Sequence, residues 1–179
     1  MKEHVKPVIK TALVLTIIAA SGALLIAGAN MLTSPIIARN EAKKEADALQ
    51  KVFGDDAIFA EPKNIENSAN LVRFYDASYS GGEGRVYKAS GRNGYGEIDM
   101  LIGLKNDCSL YNFFVLNNGQ SYGTTLQENY LTPIRLADDK DAAYNNVSCG
   151  ATFGAKLVKQ LIDASKEHYK VDLGAQHGK

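Results

Sequence analysis

The chain has 179 residues, enough for one domain, and its 45 % hydrophobic and 22 % charged content excludes wholesale disorder. Its 20 basic and 20 acidic residues cancel to a net charge of +0, so it lacks the footprint of a general nucleic-acid binder, and no nucleic acid is expected among its partners. Three His and two Cys, none clustered, argue against a metal or iron–sulfur site.

The first element is an uncharged run from Thr11 to Ala38. About 20 apolar residues suffice to cross a bilayer, and a helix apolar on every face belongs in lipid. A cleaved signal peptide is the alternative, because Lys2, Lys6 and Lys10 precede the run and Ala27-Gly28-Ala29 has the form of a cleavage site. The run is longer than a signal core, which favours a retained single-pass anchor. Basic residues flank it on both sides, with Arg39, Lys43 and Lys44 after it, so charge alone does not orient it. The short N-terminus and large C-terminal body favour an extracytoplasmic body at the cell (inner) membrane. Ala19, Ala23 and Ala27 recur every fourth residue, a ridge on which another membrane helix can pack closely.

Ser34-Pro35 reads as the start of a second, amphipathic helix. Its apolar face is Ala42, Ala46, Leu49, Val52 and Phe53, with Glu45 among the polar residues, and Gly54-Asp55-Asp56 ends it. Residues 61–70 are polar and loop-like. Strands are expected over Leu71–Ser78, Gly84–Ala89, Ile98–Leu104 and Leu110–Leu116, with turns at Gly81-Gly82 and Asn106-Asp107. A loop rich in Gly, Ser and Thr follows, 117–125. The last helix runs from about Gly154 to Tyr169 with a buried stripe of Leu157, Val158, Leu161, Ile162 and Tyr169, and the segment from Val171 on should fray. The body is α+β, an antiparallel sheet with packed helices.

The segment Ser148-Cys149-Gly150-Ala151-Thr152 is a small-residue loop feeding a helix. Free N–H groups at a helix start accept anions, a phosphate above all, and Ser148 and Thr152 offer hydroxyls; an ordinary capped helix start is the plainer alternative.

Four blocks together resemble a known family in order and topology: the membrane-helix exit 32–42, Gly94-Tyr95-Gly96 leading a strand, the 115–125 loop, and Ser148–Thr152. The chain resembles the FMN-binding G subunit of Rnf-type ion-translocating electron-transport complexes, and is similar to the C subunit of the sodium-translocating NADH:quinone reductase. The resemblance implies FMN carried by Thr152 through a phosphoester, attached by a flavin transferase. It implies a site made of Thr152, Ser148, Cys149, Gly150, Ala151, Tyr122, Gly123, Thr124 and Tyr95. It also implies other membrane subunits as partners, and an electron-relay subunit rather than an enzyme on its own. The alternatives are a free-standing flavin carrier at the cell surface and a non-catalytic assembly subunit with a decayed flavin motif.

This sequence departs from the family pattern in places. Asn145 and Asn146 stand where an Asp is usual, Cys149 precedes Gly150, and Phe153 follows Thr152 where a second hydroxyl is expected. Under this reading the parts are 1–37 (N-terminal stub and membrane helix), 38–60 (connecting helix), 61–170 (FMN-binding domain) and 171–179 (flexible tail). Tyr95, Tyr111 and Tyr122 are candidates to stack on a flavin ring, Tyr122 foremost. Cys108 and Cys149 could pair outside a reducing compartment, although no spacing links them, and Cys149 reads better as a small loop filler. His168 and His177 do not look catalytic, and Asp138–Asp141 reads as a solvated turn.

Overall fold

The computed structural model describes residues 5–177, with side chains described from 9 to 174. Lys2, and the side chains of Lys6 and His177, lie outside the described residues. Two compact units divide after Lys44.

From Val5 on, the first unit is helical. Helix α1 runs Val5–Phe53 with Pro35 inside it, so the new helix expected at Ser34-Pro35 does not form. Proline removes one backbone hydrogen bond, which a long apolar helix tolerates. The part of α1 from Ile9 on is long and apolar enough to cross a membrane, and its most apolar stretch is unburied.

The second unit is an antiparallel sheet with helices on both faces, the α+β arrangement expected. Strands β1 (Ile58–Phe59), β2 (Lys63–Asn64), β3 (Leu71–Tyr79), β4 (Gly82–Asn93), β5 (Gly96–Lys105) and β6 (Leu110–Asn118) form it. Their order is β1-β3-β4-β5-β6, with β2 also on β3. Alternation along each strand sends side chains to two cores. Tyr87, Ala89, Met100 and Ile102 face the core under the last helix. Val86 and Leu101 face the core under the last turns of α1.

That end of α1 presents Glu45, Ala48, Leu49, Val52 and Phe53 as its buried face, while Ala42 and Ala46 are exposed. Glu45 takes a place on the buried face for an electrostatic reason. Glu45 accepts from Tyr75 Oη at 2.7 Å, Lys88 Nζ at 2.6 Å and Arg73 Nη2 at 3.1 Å, so its charge is neutralised from β3 and β4. Gly103 lets Val52 approach: a Cβ there would stand 2.3 Å from Val52 Cγ1.

Between β6 and the last helix, the chain forms α2 (Gly123–Leu126), a π-helical turn (Gln127–Leu131), α3 (Thr132–Leu136) and α4 (Lys140–Ala143). They bury Leu126, Tyr130, Leu131 and Ile134. The expected solvated turn at 138–141 is a helix start: Asp139 caps α4 by accepting from Ala142 N–H at 2.9 Å.

Helix α5 (Thr152–His177) is longer than expected at both ends. Its predicted stripe is buried. The segment after Val171 stays helical because Asp172 accepts from Arg85 Nη1 at 2.6 Å and Leu173 packs on the core. Arg85 is itself buried between the rings of Phe74 and Tyr169, with centroids at 3.9 and 4.6 Å, and also donates to Asp76 at 2.7 Å.

Candidate functional site

The start of α5 is fixed by hydrogen bonds from side chains of two other segments. Asn129, in the π-helical turn, donates to Cys149 O at 3.2 Å. π-Helical turns of this kind recur at functional sites. Asn93, at the end of β4, donates to Phe153 O at 3.1 Å and accepts from Tyr95 N–H at 2.9 Å, so it ties the β4–β5 turn to the helix start. Gly150 has φ +80°, a conformation that glycine adopts without strain. The helical ladder begins with Ala155 N–H to Ala151 O at 3.0 Å. The N–H groups of Thr152, Phe153 and Gly154 precede it and have no hydrogen-bond partner among the described residues, which leaves them open to a ligand.

These groups open onto a cleft of about 250 Å³ lined by Tyr95, Gln120, Tyr122, Leu126, Gly150, Ala151, Thr152, Phe153 and Gly154. Tyr95 stacks on Phe153 with centroids 5.1 Å apart, and Tyr122 lies 6.3 Å from Tyr95. All three rings are substantially exposed at the mouth. Leu126 is fully buried and forms part of the floor. Lys156 places its ammonium 6.0 Å from the Phe153 ring, a cation near the helix start.

The cleft thus brings together five of the nine residues expected at the site: Thr152, Gly150, Ala151, Tyr95 and Tyr122. Cys149 is buried behind the loop as a free thiol, and Cys108 is likewise free and buried, so the pair is not bridged. Ser148 lies outside the lining; its N–H turns onto Asn146 Oδ1 at 3.4 Å. Gly123 and Thr124 line a neighbouring shallow depression instead. Tyr111 is far from the cleft in the contacts it makes, stacked on Phe53 at 4.9 Å under the end of α1.

Gln120, Leu126, Phe153 and Gly154 were not read from the sequence. Phe153 was visible there only as a departure at a position where a hydroxyl is usual. Its structural counterpart is the ring that completes the aromatic wall with Tyr95. The residues present fit a flavin phosphate. They combine a hydroxyl and free N–H groups at the start of a 26-residue helix, aromatic walls, and a buried polar atom, Gln120 Nε2, without a partner among the described residues.

A second cleft, of about 430 Å³, is bordered by Asp76, Arg85 and Tyr169, but its cation is already paired with Asp76 and Asp172.

No curated protein matches the chain. Residues 1–52 match the family model described as the RnfG N-terminal region, a stretch that ends before the cleft. That match covers 52 of the 179 residues and supports an RnfG-type N-terminal region.

Proposed function

We propose that the chain is a membrane-anchored flavoprotein subunit that relays electrons through FMN carried covalently by Thr152. The observation that carries this reading is Thr152 itself, half-buried at the start of α5 on the wall of an aromatic cleft. FMN, when bound, supplies reversible uptake and release of electrons. Thr152 Oγ1 is the atom that would bear the phosphoester. The free N–H groups of the helix start and the helix dipole offset the phosphate charge, with Lys156 adding a cation. Tyr95, Tyr122 and Phe153 give the ring system apolar faces while leaving the mouth open to a redox partner. Ser148, Cys149, Gly150 and Ala151 shape the loop that presents the acceptor to a flavin transferase, and Gly123 and Thr124 support it from α2.

The apolar stretch of α1 anchors the chain in the cell membrane, with the body on the extracytoplasmic side and neighbouring helices packed on the Ala19–Ala27 ridge. The electron donor, the acceptor and the ion path belong to partner subunits.

Purification from native membranes in mild detergent tests the reading. The chain should co-purify with polytopic membrane subunits and keep flavin absorbance after acid precipitation. A flavin-containing chain recovered alone would indicate a free carrier; a chain in the complex without flavin would indicate an assembly subunit. Protease added to intact spheroplasts should digest the body, and full protection there would reverse the orientation.

A further inference from the structure

Gln120 lies between β6 and α2. It is only 8 % exposed, yet its side-chain Nε2 has no acceptor among the described residues. A buried amide donor without a partner is rare in native proteins, and one beside a ligand cleft points to the ligand as its acceptor.

The backbone holds this residue tightly. Its N–H donates to Asn118 Oδ1 at 3.4 Å and its carbonyl accepts from Gly123 N–H at 3.0 Å. The residues on either side are tied to the β4–β5 turn: Gly119 N–H donates to Glu97 O at 2.9 Å and Ser121 N–H to Tyr95 O at 2.8 Å. The side chain reaches the first turn of α5, where a Cβ added to Gly154 would stand 3.4 Å from Gln120 Oε1. Gln120 therefore lines the cleft together with the helix start that carries Thr152.

We infer that Gln120 is a positioning residue whose side-chain amide, enclosed as it stands, turns toward the cleft so that Nε2 donates a hydrogen bond to an acceptor on the polar edge of the flavin ring. The inference rests on the flavin reading above. The free N–H groups of α5 serve the phosphate, which leaves the side-chain amide for the ring. A donor at a ring carbonyl or nitrogen holds the electron-rich reduced flavin more tightly than the oxidised one, so Gln120 raises the flavin potential.

The test uses the full chain in detergent, made with and without a flavin transferase, as wild type, Gln120→Leu and Gln120→Glu. Leu keeps the volume and removes the donor; Glu keeps the length and replaces the donor with an acceptor. In the flavin-carrying fraction, Gln120→Leu should shift the equilibrium between reduced and oxidised flavin about tenfold toward the oxidised form, read as a midpoint about 30 mV lower for a two-electron couple. Gln120→Glu should lower it at least as far. Without flavin, Gln120→Leu should melt no lower than wild type, because no bond is lost. Loss of flavin uptake in Gln120→Leu with that melting point intact would also support the contact.

An unchanged midpoint in both flavin-carrying variants overturns the contact. So does a lower melting point of flavin-free Gln120→Leu, which would show a structural partner. A wild-type chain that takes up no flavin refutes the flavin reading itself, a separate result from unchanged midpoints.

Discussion

Tyr95 and Phe153 stack with ring centroids 5.1 Å apart and planes 26° from parallel, joining the β4–β5 turn to the first turn of α5 beside Thr152. Such a pair contributes about 1 kcal/mol beyond the area it buries. Phe153→Ser and Tyr95→Ser should each destabilise the body by about 1 kcal/mol. A double-mutant cycle should return a coupling of about 0.5–1 kcal/mol. Strict additivity in chemical denaturation would show that the two rings do not support one another.

Gly96 sets the other side of the same wall. Its φ is +137°, and a Cβ there would stand 2.0 Å from Gly119 O. Gly96→Ala should cost about 3 kcal/mol through backbone strain and overpacking. It should also displace the Gly119–Gln120 segment, so flavin incorporation should fall with thermal stability. A variant with wild-type melting temperature and wild-type incorporation would contradict this role.

Glu45 anchors the last turns of α1 onto the sheet through Arg73, Lys88 and Tyr75. The carboxylate and burial together push the Tyr75 hydroxyl up to about 12, burial being the larger cause, so Tyr75 remains a donor at every physiological pH. Glu45→Ala would leave two cations facing each other, partly solvated, and should cost about 2 kcal/mol. Urea unfolding of the full chain in detergent measures this. A loss under about 0.5 kcal/mol would reduce the network to a surface ion pair.

His168 gives the body a pH dependence. Burial, and after it the Arg85 charge, hold its pKa below the ordinary His value of about 6.5, against an opposing pull from Asp172. Its folded pKa is depressed, so its contribution to stability is complete above about pH 6.5 and is lost as pH falls toward the folded value. Melting temperature should therefore drop between pH 7 and pH 5, and His168→Phe should flatten that drop. Equal slopes for the two proteins would assign the effect to other groups.

The strands were legible because alternation and turn residues agree along the chain: β3, β5 and β6 lie within a residue or two of their expected bounds. The stripe of α5 was legible for the same reason, since Leu157, Val158, Leu161 and Ile162 repeat at helical spacing. What was hidden depends on residues distant in sequence. Glu45 looks like a surface residue until β3 and β4 supply two cations and a hydroxyl. The tail after Val171 looks unsupported until Arg85, 87 positions upstream of Asp172, pairs with it. Residues 126–144 carry helices too short for a periodic signal. At the site, the motif ending in Thr152 was readable as local sequence. Gln120 and Leu126 reach the cleft only through tertiary packing, and Phe153 drew notice only as an unusual neighbour.

The measurement that tests the central claim most directly is peptide mass spectrometry of the chain expressed with a flavin transferase. The peptide containing Thr152 should carry the mass of an FMN phosphoester, and fragment ions should assign it to that residue. Thr152→Ala should lose the modification and in-gel flavin fluorescence while still inserting into membranes. Asn146→Asp, which puts an acid near its usual place in the family pattern, should increase the labelled fraction. An unmodified Thr152 peptide under these conditions, with no flavin retained by the native protein, would contradict the account.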